Sequence, residues 1–356
     1  MITLSDKRWD RLGELLVNHS LEVQKGQKLM IAMYEVETYP LALAVYKHCI
    51  KAGGFPQIQF MSEALKHQVL KYGTEEQKGW VPEIEKYGME WADCYIALRG
   101  AFNMSECYDI DAKDIALYQK AMGIISRHRW ENTRWALIRV PNERFAQTAG
   151  VDYEKIMDMF FEACFVDWSK EMPEMSRIAK LLEQGDQMRI VGENTDLSFS
   201  VKGKIWHPSE ALGNIPGGEI YSAPCYETVD GTIWFDVPAT FGGRVIHNLK
   251  LTFTKGELTG IEADDNLDFV KTVLATDEGA SRIGEIAFGT NDKVDVFTTD
   301  ILFDEKIGGT MHIAMGRPYD EIYTSAIHWD IIKDLRRVGE VYLDGKLIYE
   351  KGKFLI

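Results

Sequence analysis

With 356 residues, 46% apolar and 27% charged, the chain is long enough for two domains with separate cores. No uncharged apolar run reaches membrane-spanning length, and the charged start MITLSDKRWDRLGELL lacks a signal-peptide core, so the expected setting is the cytoplasm, with no membrane partner. A formal net charge of −15 without Lys/Arg blocks argues against nucleic acid as a partner, and five scattered cysteines without a C-x-x-C pair argue against disulfides or a thiolate zinc site.

Apolar spacing predicts a first helix from Asp6 to Asn18, with Trp9, Leu12, Leu15 and Leu16 on one stripe. KLMIAMY (28–34) then suits a buried strand, Pro40 to Lys51 a helix that stops at Gly53-Gly54, and PQIQFM (56–61) a second strand. A helix over 75–86, a strand over Ala92–Leu98, a helix over 110–127 and a strand over Trp135–Val140 continue the alternation. Strands alternating with helices of this length imply an α/β domain with a mainly parallel sheet covered on both faces. Helices over roughly 153–166 and 172–184 end this half. It carries no G-x-G-x-x-G turn, P-loop or G-x-S-x-G elbow, so the doubly wound pattern comes without a recognisable phosphate cradle.

Near Gln187 the texture changes to short alternating strands punctuated by Gly, Asn and Asp: MRIVG, DLSFSVKG, GTIWFDVP and RVIHNLKLTFTKGELTGIEA. Thr254-Lys255-Gly256-Glu257 is a hairpin signal. The expected division is therefore an α/β domain over 1–185 and an α+β domain with antiparallel strands over 186–356.

Chemistry concentrates in the second half. His19, His48, His67 and His128 have no acids at ligand spacing, and His207 and His247 read as structural. His328 and Asp330, two apart in SAIHWDII, project from one face of an extended strand and can reach one ion. His312 follows Asp304, Glu305 and a Gly308-Gly309 turn, an order that brings carboxylate and imidazole together. Glu219 in NIPGGEIYSAP and Glu285 in GASRIGEIAFG are acids among Gly, Ile, Ala and Phe, costly to bury unless paired or bound to a cation. Oxygen and imidazole donors without thiolate suit Zn, Co, Mn or Fe, and so many carboxylates suit a two-metal site.

NIPGGEIYSAP, IGEIAFGTN, FDEKIGGTMHIAMGRPY and SAIHWDII together resemble the metal-binding segments of the thermophilic-type metallo-aminopeptidases, the aminopeptidase T/aminopeptidase S family. SLEVQKGQKLMI and VPNERFAQTAG extend the resemblance over nearly the whole chain. It implies two divalent ions (Zn, Co or Mn) on Glu219, Glu285, Glu305, His312, His328 and Asp330, with Tyr319 as the active-site tyrosine. It also implies a homodimer acting on peptides with a free N-terminus, with Glu219 or Glu285 as the proton-transferring group. The chain departs from the longer peptidases by a missing loop between Tyr319 and His328 and a longer step from Glu305 to His312. The alternative in the same superfamily is a mononuclear Fe(II) ring-cleaving dioxygenase of the dihydroxypyridine type. Those relatives lack acids at the positions of Glu219 and Glu285 and place a histidine where this chain has Arg282.

Overall fold

The computed structural model describes residues 6–355 except Met104 and Glu321. The chain divides into two compact units after Phe165, and Ala211–Pro216 belongs to the first. The division therefore falls earlier than the change of texture near 187, because the helix Trp168–Leu182 packs against the strand His207–Ser209 of the second unit.

In the first unit, strands β1 (Lys28–Tyr34), β2 (Phe55–Met61), β3 (Cys94–Arg99) and β4 (Arg134–Arg139) form a parallel sheet. Their order is β2-β1-β3-β4, with the short segment Asn214–Ile215 added parallel to β4. Helix α1 (Lys7–Leu15) is capped by Asp6, whose carboxylate accepts from Arg8 N, and buries Trp9 and Leu12. A π-helical turn, Leu16–Ser20, completes the predicted first helix. Helix α2 (Tyr39–Lys51) packs on α1 and β1.

The predicted helix over 75–86 is instead two helices, α4 (Glu75–Lys78) and α5 (Glu83–Trp91), with α3 (Glu63–Tyr72) before them. Gly79 ends α4, and Pro82 forces its neighbour out of the helical region and stands as the N-cap of α5. Helix α6 (Ala112–Asn132) leads into β4. Met30 and Ala32 of β1, Tyr95 and Ala97 of β3 and Leu137 of β4 pack with Met89 of α5 and Ile125 of α6 into one cluster.

The second unit has an eight-stranded antiparallel sheet in which the predicted hairpin joins Lys250–Thr254 to Glu257–Glu262. A second sheet, of five antiparallel strands, carries the candidate site. Its strands are β5 (His207–Ser209), β6 (Glu219–Ser222), β7 (Ile283–Gly289), β8 (Thr310–Gly316) and β9 (His328–Asp334), in the order β9-β8-β7-β6-β5. The expected parallel α/β and antiparallel α+β halves are thus both present. Among the described residues no helix is long and apolar enough to cross a membrane.

Candidate metal centre

Register puts Glu219, Glu285, His312, His328 and Asp330 on one face of the five-stranded sheet. Residues opposite each other across antiparallel strands share a face. Glu219 pairs with Gly289, Ala287 with His312, Glu285 with Ala314, and Ala314 in turn with Asp330; Gly316 pairs with His328. Acids and imidazoles therefore rim a floor made of Ala287, Ala314, Gly289 and Gly316, the smallest side chains available. Ile286, Phe288, Met311, Ile313 and Ile331 point the other way and are fully buried. This is the period-two separation of core and site read off the sequence around His328 and Asp330.

Two irregularities complete the site. A bulge between Ile283 and Glu285 places these residues on opposite faces although they are two apart, so Ile283 faces Met315 while Glu285 enters the cluster. A side chain at Gly284, the extra residue, would strike the Gly316 carbonyl oxygen at 2.4 Å. At the far end of β7, a Cβ on Gly289 would lie 2.2 Å from Ile307 O, so only glycine lets the Glu305 loop cross there. Asn291 holds that loop in place. Its amide donates to Gly217 O (3.0 Å), its backbone N–H donates to Lys306 O (2.9 Å), and its carbonyl accepts from Gly308 N (3.1 Å).

Three overlapping triads result, each with one donor atom per residue within 4.8 Å of the others: Glu219, Glu285 and His312; Glu285, His328 and Asp330; Glu305, His312 and Asp330. All six ligand candidates are brought together. His312 Nε2 lies 3.5 Å from Glu285 and 3.7 Å from Glu219, and neither ring nitrogen has a hydrogen-bond partner. A fully buried imidazole without a hydrogen bond is costly, and a cation between it and the carboxylates would relieve that cost. His328 Nδ1 is 3.0 Å from the Arg317 carbonyl, which can only accept, so Nδ1 carries the proton. Its Nε2 sits between Glu285 (3.1 Å) and Asp330 (3.3 Å), where a proton holds the three together and where a cation replacing that proton would be ligated by all three. The residues fit a divalent cation.

The electrostatics agree. Burial alone would lower the pKa of His312, but Glu285, Glu219 and Asp330 outweigh it and raise it to about 9. His328 is raised to about 11 by Asp330 and Glu285 against the same burial penalty. Burial opposes the ionisation of Glu285 and Asp330, yet the two histidines hold both below the ordinary carboxylate range. Glu305 goes the other way, pushed by burial to about 8.

Tyr319 lies beside the cluster, its ring 4.8 Å from Tyr221 and 5.6 Å from His328, while 53% of the residue stays open to solvent. Glu285 and burial raise its pKa far above the usual value, so its hydroxyl remains a donor.

Sequence reasoning missed Lys306. Fully buried, it pairs with Glu219 and lies 2.6 Å from Glu305 Oε1. In DEKIGG it reads as one more surface charge; an apolar continuation on one side was the only hint. Asp304, by contrast, turns away from the cluster. It accepts from Thr298 N and Oγ1 and from Thr299 N, tying down the turn before the Glu305 loop. His48, His67 and His247 pair with Asp10, Asp109 and Asp265 and take no part in the cluster.

The thermophilic metalloprotease (M29) family matches residues 5–354 of this chain. Aminopeptidase 2 of Geobacillus stearothermophilus is 27% identical over 355 residues, covering 88% of this chain and 84% of the relative. Aminopeptidase T of Thermus thermophilus is 23% identical over 349 residues, covering 88% and 85%. The solved structure of wild-type AmpT from Thermus thermophilus superposes with a TM-score of 0.86 at 20% identity, over 98% of this chain and 99% of that one. 2,5-Dihydroxypyridine dioxygenase from Pseudomonas putida KT2440 shares the fold more distantly, with a TM-score of 0.58 at 12% identity over 98% and 96%. On this match across almost its whole length, the chain belongs to the thermophilic metalloprotease family and is a metal-dependent hydrolase.

Proposed function

We infer that the protein is an aminopeptidase that removes the N-terminal residue of peptides at a two-metal centre. The observation that carries this reading is the convergence of Glu219, Glu285, Glu305, His312, His328 and Asp330 as overlapping triads on one sheet face. The sharing of Glu285, His312 and Asp330 between triads is what adjacent ions with common ligands require. Zn, Co and Mn suit these donors.

When bound, the ions supply Lewis acidity and the acidification of water that accompanies it. The chain's own groups do the rest. Glu219 or Glu285 takes the proton of the attacking water and delivers it to the leaving amine. Tyr319, kept protonated, donates a hydrogen bond to the oxyanion that develops on the scissile carbonyl. The surplus of carboxylates favours a substrate carrying a free, cationic amino group. Lys306 pairs with Glu219 and Glu305 and keeps both aimed inward.

The dioxygenase alternative has less support. Arg282, which stands where those enzymes place a histidine, ion-pairs with Glu278 (2.6 Å) and stacks on Tyr226, adding no imidazole to the cluster. A cytoplasmic homodimer belongs to the same proposal, and light scattering on the purified protein checks the dimer. The main test is metal analysis combined with hydrolysis of aminoacyl-anilides. About two divalent ions per chain with turnover support the reading. One iron per chain with O₂ uptake, or undiminished hydrolysis by Glu219→Gln, overturns it.

A further inference from the structure

A second polar cavity lies in the first unit, between the parallel sheet and helices α5 and α6, with a volume of about 370 Å³. β1, β2 and β3 contribute their last residues to it, Tyr34, Met61 and Arg99. The chain runs from β1 outward to β2 and then crosses back to β3 on the other side of β1, so the cavity opens where the strand order reverses. In open α/β sheets ligands gather at the carboxyl ends of the strands at that reversal.

The lining is polar in a selective way. Both of its acids have partners: Glu63 pairs with Lys66 at 3.0 Å, and Glu85 hydrogen-bonds with Gln59. Its two guanidinium groups have no acid. Among the described residues no carboxylate lies within ion-pair distance of Arg99 or Arg129. Arg129 is 9% exposed, its Nε has no hydrogen-bond partner, and its pKa is lowered by burial. Trp130 and Trp135 stack around it, with the guanidinium carbon 4.2 and 5.5 Å from their rings, and the Tyr95 hydroxyl hydrogen-bonds with it. Tyr34 hydrogen-bonds in turn with Tyr95. A buried arginine held rigid by aromatic rings and left without a counter-charge is destabilising. An incoming anion would remove that cost, and a planar guanidinium matches the two oxygens of a carboxylate or phosphate. Met61, Met89 and Met122 supply an adaptable apolar wall.

We propose that this cavity binds a small organic oxyanion, with a carboxylate or phosphate head on Arg99 and Arg129 and an apolar body against the three methionines. The site is independent of the metal-centre reading, and nothing in it uses the residues named there.

The test is calorimetric titration of the full-length, metal-loaded protein with hexanoate and, separately, with inorganic phosphate. The proposal expects saturable binding of at least one probe, weakened about tenfold or more in Arg129→Gln and in Arg99→Gln. Stronger hexanoate binding identifies a carboxylate ligand, and stronger phosphate binding a phosphate one. Hydrolysis of aminoacyl-anilides by both variants stays at the wild-type rate. An oxyanion held at the metal centre would be indifferent to both arginines, so binding unchanged in the variants overturns the proposal. So does the absence of binding by either probe at millimolar concentration. Should Arg129→Gln fail to fold, Arg99→Gln decides alone, since Arg99 is exposed.

Discussion

The two units of this chain each bury a polar cluster beside a sheet, and the clusters differ in sign and in how they are compensated. In the antiparallel unit, carboxylates outnumber bases, and the buried imidazole of His312 makes no hydrogen bond to the acids around it. In the parallel unit the acids are satisfied, and the buried Arg129, with the exposed Arg99 beside it, has no carboxylate. Buried charge that the protein does not neutralise itself marks a place for something else to do so. The first cluster asks for a cation and the second for an anion. The antiparallel sheet places Glu219, Glu285, His312, His328 and Asp330 by register and one bulge, with Glu305 on a loop, whereas the parallel sheet gathers its own from strand ends and a helix.

Metal removal breaks the comparison most directly. Exhaustive chelation should abolish hydrolysis of aminoacyl-anilides, with activity returning on addition of Zn, Co or Mn and anion binding in the other unit untouched. Full activity in demonstrably metal-free protein would end the reading of the acidic cluster. His312→Ala, which deletes a member of two triads, should lower activity to the level of the chelated protein and reduce bound metal, as measured on the same sample. Tyr319→Phe should leave metal content unchanged and lower kcat by about 10²–10³ with little change in KM, because the lost hydrogen bond belongs to the transition state. An unchanged kcat would make Tyr319 no more than a half-exposed ring at the rim.

Lys306 sharpens the contrast in stability. Lys306→Met leaves Glu219 and Glu305 without their buried counter-charge, which should cost the metal-free protein about 3–5 kcal/mol. On a unit of this size that is a fall in melting temperature of roughly 10 °C. Added divalent metal, supplying positive charge to the same carboxylates, should recover part of the loss. An equal fall with and without metal would mean that Lys306 is fixed by packing and not by charge.

How much of this was written in the sequence follows from the geometry of each unit. Period two is local, so His328 and Asp330 could be placed on one face from their spacing alone, and the glutamates in apolar glycine-rich settings drew attention by their cost of burial. The family resemblance supplied Glu305 and Tyr319. Lys306 was lost because burial of a lysine between two acids has no signature in a run such as DEKIGG. The split of the expected helix over 75–86 was legible in principle from Gly79 and Pro82, but the periodicity of the flanks masked it. The guanidinium cavity lay beyond reach of motif reading: Tyr34, Tyr95, Arg99 and Arg129 come from two strands and a helix, and only the strand order unites them. No glycine-rich turn marks the proposed anion site, whose lining is made of side chains.

The smallest expected effect tests whether the cavity in the parallel unit is kept open at some cost. Gly123 lies inside helix α6 at the rim of the cavity, and a Cβ built on it meets nothing within 4 Å. Glycine within a helix is disfavoured against alanine by about 1 kcal/mol, mostly through the entropy of the unfolded chain. With no clash to offset that gain, Gly123→Ala should raise stability by about 0.5–1 kcal/mol in urea unfolding. If the opening beside Gly123 is where the ligand enters or rests, the same variant should weaken hexanoate binding while leaving phosphate, which is short enough to stay on the arginines, unaffected. A gain in stability with no change for either probe would place the apolar body deeper, against Met89 and Met122. A loss of stability would mean that the helix is strained at this point and that the glycine answers to the backbone, not to the cavity.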